Sequence, residues 1–368
     1  MIESVRIPMV DLGPQYLELK RELDEAALGV LAGCRYILGP EVESFEREFS
    51  AFVGAEHGVG VSNGTSAVEI AVKALGLEPG DEVLTTSMSF IATADSFARC
   101  GIRPAFADID PRTFNLDPAS VSERLTSRTR AILAVHLYGQ PADMDALLEI
   151  GKLKDIPVLE DCAQAHGAVY RGRRVGSMGA ASAFSFFPTK PLGGAGDGGF
   201  ISTSDAALAD RARMLRAHGS RKKYLHEVLG ANSRLDELQA ALLRIKLPRL
   251  EAWNESRRRT AALYDKNLSG VTVPYVAPDV NHVYHQYTVR TPERERLIKG
   301  LAERGVGSTI YYPIPIHLQP CFSSLGYTEG DLPECEKASR EVLSLPMYYG
   351  IPDSHVERVC EAVSEVMG

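Results

Sequence analysis

Lys190 stands alone between an aromatic stretch and a run of glycines in the segment FSFFPTKPLGGAGDGG. Apolar neighbours exclude water from an amine, which disfavours its charged form and lowers the pKa from its reference value of ~10.4. A neutral lysine amine is a nucleophile that forms Schiff bases with carbonyl compounds. Glycines also allow the main chain to approach a flat ligand closely. Although a single lysine is usually a surface residue, this setting predicts that Lys190 is catalytic and binds a carbonyl cofactor.

Asp161 and Gln164 lie in VLEDCAQAHG, where an apolar strand is predicted to end. Open α/β sheets bind their ligands at the carboxyl ends of parallel strands. A carboxylate there either caps a following helix or keeps a pyridine nitrogen protonated, so that the ring accepts electrons. Beside a Schiff-base lysine, the second interpretation indicates pyridoxal phosphate (PLP). Gln164 would then donate a hydrogen bond to the phenolic oxygen of the cofactor.

A phosphate site is predicted where a helix follows the strand GVGVS. Free N–H groups and the positive end of the helix dipole attract anions. The residues that open this helix after Asn63 are Gly64, Thr65 and Ser66. Ser185 in FSFF can add a hydroxyl group, and Phe90 in SMSFIATADS can stack on the cofactor ring. Each signal alone is weak, because serine and threonine cap many helices and a buried aromatic residue is usually part of the core.

The segment 194–199, GAGDGG, also matches the G-x-G-x-x-G pattern of dinucleotide-binding proteins. That pattern binds a pyrophosphate only when a helix follows the glycines. Here the glycines lead into GGFIST, which is typical of a strand. We therefore reject a nicotinamide dinucleotide as cofactor.

Short apolar runs alternate with helical patterns over the first two-thirds of the chain, from GVGVS to GGFIST. Strands that alternate with helices indicate an α/β fold with a mostly parallel sheet and helices on both faces. Beyond Arg211 the pattern becomes mainly helical, notably in LDELQAALLRIKLPRLEAWNESRRRTAALY. We predict a large domain over residues 1–249 and a small domain over residues 250–368.

Composition excludes several other classes of protein. The net charge of −8 disfavours a nucleic-acid binder, and no apolar run approaches the 18 residues of a membrane span. The N-terminus MIESVRIPMVDLG lacks the basic start and apolar stretch of a signal peptide. Six scattered cysteines without CxxC spacing indicate reduced thiols, with neither disulfides nor a metal site. A cytoplasmic enzyme is expected.

Taken in order, these motifs resemble the DegT/DnrJ/EryC1/StrS family of sugar aminotransferases, a branch of the fold-type I PLP enzymes. The resemblance runs from PMVDLGPQYLELKRELD to LSLPMYYG and covers nearly the whole chain. It implies a mostly parallel seven-stranded sheet and a smaller C-terminal α+β domain. It also implies a homodimer with shared active sites, because relatives place the asparagine of G-x-N-S-R-L-D, here Asn232, at the phosphate of the neighbouring subunit's cofactor.

The resemblance assigns a role to each cofactor residue. It implies that Lys190 binds PLP covalently, that Asp161 contacts the pyridine nitrogen and that Phe90 stacks on the ring. Gln164 faces the phenolic oxygen. The residues implied to hold the phosphate are Thr65, Ser66 and Ser185, with Gly64 beside them.

The substrate implied is a nucleotide-linked keto-sugar, with glutamate as amino donor. HGSRKKYLHEVLGANSRLDE resembles the branch that aminates C3 of 3-keto-6-deoxyhexoses, whereas the Lys190–Pro191 step is shared with some relatives that act on UDP-linked sugar acids. We therefore predict C3 amination of a dTDP- or UDP-linked 3-keto-hexose. The expected substrate residues are Lys222, Tyr224, Tyr312 and His317. A basic cluster expected to bind the diphosphate, or else to form a solvated helix face, comprises Arg216, Arg221, Lys222, Lys223 and Arg234.

Three alternatives stay open. One is C4 amination of a nucleotide-linked 4-keto-6-deoxy sugar. A second is a PLP-dependent sugar dehydratase, which Lys190 disfavours because dehydratases of the family carry histidine at that position. The third is a PLP-binding regulator, which would need a DNA- or partner-binding module that the sequence does not indicate.

Overall fold

A computed structural model describes residues 6–368 of the chain. Its strands form at the apolar runs from which the sequence predicts them. The strands of this part of the chain, in order, are β1 (His57–Val61), β2 (Glu82–Thr86), β3 (Arg103–Ala107), β4 (Thr129–Val135), β5 (Val158–Asp161), β6 (Val169–Tyr170), β7 (Arg173–Arg174), β8 (Ala181–Ser185), β9 (Gly199–Thr203), β10 (Ser220–Lys222), β11 (Leu225–His226), β12 (Val280–Asn281), β13 (Tyr287–Arg290) and β14 (Val342–Leu345).

Seven of these strands form the central sheet, in the order β1-β9-β8-β5-β4-β2-β3. Strands β8, β5, β4, β2 and β3 pair in parallel, and β9 runs antiparallel to both of its neighbours. The predicted α/β class and mostly parallel seven-stranded sheet are therefore confirmed. Three small sheets lie outside it: the hairpin β10–β11, the triplet β12-β6-β7 and the pair β13–β14.

The helices begin and end largely at residues whose chemistry favours a boundary. The α-helices of the described chain are α1 (Gly13–Glu18), α2 (Lys20–Gly33), α3 (Pro40–Val53), α4 (Gly64–Ala74), α5 (Ala92–Ala98), α6 (Pro118–Arg124), α7 (Met144–Lys154), α8 (Ala206–Arg216), α9 (Glu237–Lys246), α10 (Leu250–Asn267), α11 (Arg294–Glu303), α12 (Pro333–Glu341) and α13 (Asp353–Met367). Asn63, Asp117, Asp143 and Asp205 cap four of them by accepting hydrogen bonds from N–H groups of the first turn. The predicted helical stretch after Arg234 is divided at Pro248, where a 3₁₀ turn joins α9 to α10.

Both faces of the central sheet are covered. Leu133 packs into the core beneath α4, α5 and α8, whereas its neighbour Ile132 packs into the core beneath α6 and α7. Successive residues of a strand point to opposite faces, so a parallel strand covered on both sides is apolar throughout. This burial explains why the strands appear in the sequence as continuous apolar runs.

The last third of the chain builds a second core from α10, α11, α13, β13 and β14, with Tyr264, Tyr287 and Val363 fully buried in it. Ile7 also joins this core. Conversely, Ile316 packs into the core of the central sheet. The two parts of the chain thus share contacts, and the boundary at residues 249/250 stays a prediction. Over residues 6–368, no helix has both the length and the apolar character needed to cross a membrane.

Candidate active site

A cavity of ≈ 710 Å³ opens at the carboxyl edge of the parallel strands. It lies where β5 and β8 end and where α4 and α5 begin. The predicted site residues that line it are Gly64, Thr65, Ser66, Phe90, Asp161, Gln164, Ser185, Lys190 and Tyr312. Residues from 64 to 312 therefore meet at one place, as the position of Asp161 at a strand end predicts.

Lys190 follows β8 in a tight turn, in which its N–H donates to the carbonyl of Phe187 (2.9 Å). The surrounding protein lowers the pKa of its amine from 10.5 to about 8, because burial disfavours the ammonium form. The Asp161 carboxylate acts in the opposite direction and stabilises the charged amine. A substantial minority of the Lys190 amine is therefore neutral near physiological pH, as a Schiff-base nucleophile requires.

Asp161 is the last residue of β5 and is only 7% exposed. Its Oδ2 accepts a hydrogen bond from the Thr93 hydroxyl (2.8 Å), and its Oδ1 accepts one from the Ala163 N–H (3.1 Å). The Thr93 hydroxyl also lies 2.7 Å from the Ser89 hydroxyl. Each carboxylate oxygen keeps a further lone pair, so the fixed carboxylate can still accept from a pyridinium N–H.

Gln164 connects two tyrosines across the cavity floor. Its Oε1 accepts from the Tyr138 N–H (2.6 Å), and its Nε2 donates to the Tyr312 hydroxyl (3.0 Å). Burial raises the pKa of Tyr312, so its hydroxyl stays protonated at neutral pH. The second hydrogen on Nε2 is left to donate to a ligand oxygen, in keeping with the predicted contact.

The start of α4 lies against the end of β8. Asn63 accepts from the Ser66 N–H (2.8 Å), which leaves the earlier N–H groups of this helix end available to an anion. A Cβ atom at Gly64 would lie 2.6 Å from the Cβ of Ser185, so only glycine permits this approach. An amine, a buried carboxylate and an anion seat together are the groups that PLP needs, and the residues present fit this cofactor.

Phe90 is 55% exposed beside the cavity, with its ring centre 6.1 Å from that of Tyr312. The two rings are tilted by 40° and border the same opening. Phe90 is thus not a core residue, which was the alternative interpretation of an aromatic side chain at this position.

Four predicted site residues do not line this cavity, and three of them are exposed. Asn232 is exposed and lines a neighbouring depression that shares Asn63 and Asp197 with the cavity. Lys222 and Tyr224 belong to the hairpin β10–β11 and its turn, where both side chains are exposed. Their predicted roles therefore stay predictions.

The structure corrects the prediction that His317 borders the substrate. His317 is fully buried outside the cavity lining, with Nδ1 2.7 Å from the Ser87 hydroxyl and Nε2 3.3 Å from a Glu336 carboxylate oxygen. Buried polar groups need such partners, and these two occupy both ring nitrogens. The position of His317 is therefore explained by packing.

The expected basic cluster is also smaller than the sequence indicates. Arg216 is buried and pairs with Glu46, and Arg221 pairs with Asp210 (2.5 Å) and Glu227 (2.6 Å). These two arginines already have carboxylate partners. Lys222 and Lys223, in contrast, remain exposed at the hairpin.

Sequence reasoning missed other residues of the site. Thr93 donates a hydrogen bond to Asp161, which lies 68 residues further along the chain. The Tyr138 N–H donates one to Gln164, 26 residues further along. His285, from the last third of the chain, also lines the cavity. Burial, followed by the nearby charge of Lys190, holds the pKa of His285 well below its ordinary value. No spacing in the sequence signals these contacts.

One group of potential metal ligands, His136, Glu160 and Cys162, comes together within residues 6–368. It lies inside the core beneath Asp161. Glu160 already accepts hydrogen bonds from the N–H groups of Gly176 (2.8 Å) and Gly179 (2.7 Å), and it lies 3.0 Å from His136 Nε2. The Glu160 carboxylate thus accepts hydrogen bonds from the main chain of the turn at residues 176–179.

The profile of the DegT/DnrJ/EryC1/StrS aminotransferase family matches residues 18–364. The chain belongs to this family. A pleiotropic regulatory protein of Geobacillus stearothermophilus is 49% identical over 366 residues, which cover 98% of each chain. The dTDP-3-amino-3,4,6-trideoxy-alpha-D-glucose transaminase of Streptomyces venezuelae is 46% identical over 366 residues, 99% of this chain and 97% of the relative.

The aminotransferase also resembles a solved structure over almost its full length. The crystal structure of S. venezuelae DesV in complex with a ketimine intermediate superposes with a TM-score of 0.95, at 46% identity and with 98% of each chain covered. The predicted family, the fold-type I architecture, the aminotransferase class and the PLP cofactor are confirmed.

Proposed function

We propose that this aminotransferase transfers an amino group to C3 of a nucleotide-linked 3-keto-hexose, with glutamate as the amino donor. The proposal depends mainly on the cavity. Lys190, Asp161 and the start of α4 line it together, and the chain is 46% identical to a dTDP-3-amino sugar transaminase. The cavity volume of ≈ 710 Å³ lies within the range of roughly 300–1,000 Å³ that is usual for ligand pockets.

Each group in the cavity has a distinct task in such a reaction. When bound, PLP supplies an electron-accepting ring that stabilises negative charge on the carbon next to the transferred nitrogen. Asp161 would keep the ring nitrogen protonated, and Thr93 holds Asp161 in place. Lys190 would hold the cofactor, and its Nζ would carry a proton to and from the reacting carbon. The start of α4 would bind the phosphate, with Thr65, Ser66 and Ser185 beside it.

A homodimer would complete the site. The cations that line the cavity are Lys190 and Arg99, and Arg99 already pairs with Glu69 (3.3 Å) and Asp95 (3.2 Å). A nucleotide diphosphate needs more positive charge than this. We propose that Lys222 and Asn232 serve the site of a second copy, together with Tyr224.

Exposed apolar side chains support association of two copies. Leu28 and Leu31 are 64% and 51% exposed on α2, and Leu225 and Leu229 are 56% and 95% exposed at the hairpin β10–β11 and just beyond it. Contiguous exposed apolar patches commonly mark protein–protein interfaces. We further propose a cytoplasmic location, which the six cysteines without disulfide bonds support.

A panel of purified nucleotide-linked sugars tests the substrate. The enzyme should convert dTDP- or UDP-linked 3-keto-hexoses in the presence of glutamate, with 2-oxoglutarate formed in equal amount, and the same panel decides between the two nucleotides. Conversion of 4-keto-6-deoxy sugars instead would establish C4 amination. Loss of a sugar hydroxyl without transfer of nitrogen would establish a dehydratase.

A regulatory role is the second candidate, because the relative from G. stearothermophilus bears the name of a regulator. A protein that only binds PLP would show a cofactor absorbance band that glutamate leaves unchanged. An aminotransferase should lose that band within one turnover when glutamate is added without an acceptor. This single spectrum separates the two functions.

A further inference from the structure

The glycine loop that follows Lys190 packs against one face of α9. The Ala195 N–H donates to Oε1 of Gln239 (2.8 Å), and Nζ of Lys246 donates to the Gly193 carbonyl (2.7 Å). Gln239 and Lys246 are seven residues apart, about two helical turns, and so lie on the same side of the helix. One helix therefore contacts the loop at two points.

The position of the Gln239 side chain explains why residues 194 and 196 of this loop are glycines. A Cβ atom at Gly194 would lie 2.6 Å from Oε1 of Gln239, and one at Gly196 would lie 3.1 Å from its Nε2. The glycines thus make room for a side chain of α9. This contact accounts for Gly194 and Gly196, the first two glycines of the pattern that resembles a dinucleotide fingerprint, in which glycines make room for a pyrophosphate instead.

The same loop is closed tightly around Lys190. The Gly194 N–H donates to the Phe186 carbonyl (2.8 Å), so the segment from 186 to 194 forms a hydrogen-bonded loop with Lys190 inside it. A Cβ atom at Gly193 would lie 2.2 Å from the Pro188 carbonyl oxygen. The main chain on both sides of Lys190 is therefore packed closely against Gly193 and Gly194.

A lysine is unusual at a mostly buried position such as that of Lys246. Its side chain is mostly buried, and burial lowers its pKa. Within residues 6–368 no carboxylate lies within ion-pair distance of its amine. An ammonium group taken from water is costly unless hydrogen bonds compensate it, and the bond to Gly193 provides such compensation.

We propose that Gln239 and Lys246 are positioning residues that fix the loop of Lys190 and thereby aim its amine at the cofactor. The inference rests on the proposed role of Lys190 as the residue that binds PLP. Neither side chain lines the cavity, so both act through the main chain between residues 193 and 195. They should affect how Lys190 meets the cofactor more than how the enzyme binds its sugar.

Four variants and one control test this. Gln239→Met and Lys246→Met keep the length of the side chain but remove the bond to the loop, whereas Gln239→Glu keeps an acceptor oxygen and Lys246→Arg keeps a donor. Arg244→Gln is the matched control, because Arg244 lies on the same helix but bonds Glu41 (2.6 Å) and Glu48 (2.7 Å) on α3. Circular dichroism and thermal melting establish that each variant is folded.

The experiment measures how fast Lys190 forms a covalent bond with the cofactor. Apoenzyme is mixed with PLP, the adduct is trapped with borohydride at successive times, and peptide mass spectrometry measures the labelling of Lys190. Both methionine variants should label about tenfold more slowly than wild type, as loss of a hydrogen bond worth ~1.4 kcal/mol implies. The pH at which the absorbance of the bound cofactor titrates should also shift.

Gln239→Glu and Lys246→Arg should recover most of the labelling rate, and Arg244→Gln should label like wild type even if its Tm is lower. Wild-type labelling rates in both methionine variants, or an equal loss in Arg244→Gln, would overturn the inference. If the wild-type enzyme itself forms no adduct at Lys190, both the proposed function and this inference are wrong. The wild-type sample thus separates the two failures.

Discussion

The depressed pKa of Lys190 leads to a sharp prediction about the apoenzyme. With a pKa of about 8 in place of 10.5, roughly 10% of the amine is neutral at pH 7, compared with ~0.03% of an ordinary lysine, a difference of about 300-fold. The reactivity of Lys190 towards an amine-selective reagent should therefore rise with a midpoint near pH 8. Because desolvation is the main cause of the shift, the effect requires the folded protein and should vanish in urea.

Asp161→Asn provides the perturbation. The Asp161 carboxylate stabilises the Lys190 ammonium, so its neutralisation should move the midpoint to lower pH, while the hydrogen bond from Thr93 can be kept by the amide oxygen. The assay is competitive acetylation of the apoenzyme at pH 6–11, with N-acetyl-lysine amide as internal reference and mass spectrometry of the Lys190 peptide. A wild-type midpoint at pH 10 or above, or an upward shift in Asp161→Asn, would refute the reasoning.

Stability should follow the same titration. The folded pKa of about 8 lies below the unfolded value of 10.5, so the unfolded chain binds more protons between these pH values. The cost of a charged, buried Lys190 is fully present below pH 8 and is relieved as the pH rises towards 10.5. Relative to Lys190→Met apoenzyme, wild-type apoenzyme should thus gain stability against urea across this window.

Other predictions concern the phosphate seat, the buried histidine and the shared site. Gly64→Ala should weaken cofactor binding at least about tenfold in equilibrium dialysis, since the added methyl group would lie 2.6 Å from the Cβ of Ser185; unchanged binding would mean that α4 can move away. His317→Gln should lower the Tm by about 2–5 °C and leave KM for the sugar unchanged, whereas a changed KM would restore its predicted substrate contact. Mixed Lys190→Ala and Asn232→Ala chains should regain roughly a quarter of wild-type activity, because about half of the dimers are hybrids with one intact site; hybrids without activity would place Asn232 in its own subunit's site.

The parts of the site that the sequence predicts are those built from local patterns. The end of an apolar run predicts the position of Asp161, and the helix start after Asn63 predicts the phosphate seat. Both positions follow from periodicity and capping, which depend on a few neighbouring residues. The structure places both at the cavity as expected.

The remaining parts depend on contacts between distant residues. His317 lies in YYPIPIHLQP, which gives no sign of the burial that Ser87, 230 residues earlier, brings about. Arg216 is basic in the sequence, yet its charge is balanced by Glu46, 170 residues away. Only the tertiary fold distinguishes a free cation from a paired one.

The location of the cavity has a consequence for folding. Asp161 on β5 is held by Thr93 on α5, and Gln164 is held by Tyr138 and by Tyr312 from the last third of the chain. The hydrogen-bonded setting of Gln164 is therefore complete only when both parts of the chain have folded against each other. A ligand that binds only this state stabilises it by about 2.7 kcal/mol at 100 times its Kd. A cofactor that contacts Gln164 would therefore favour the state in which Tyr312 and the central sheet remain in contact.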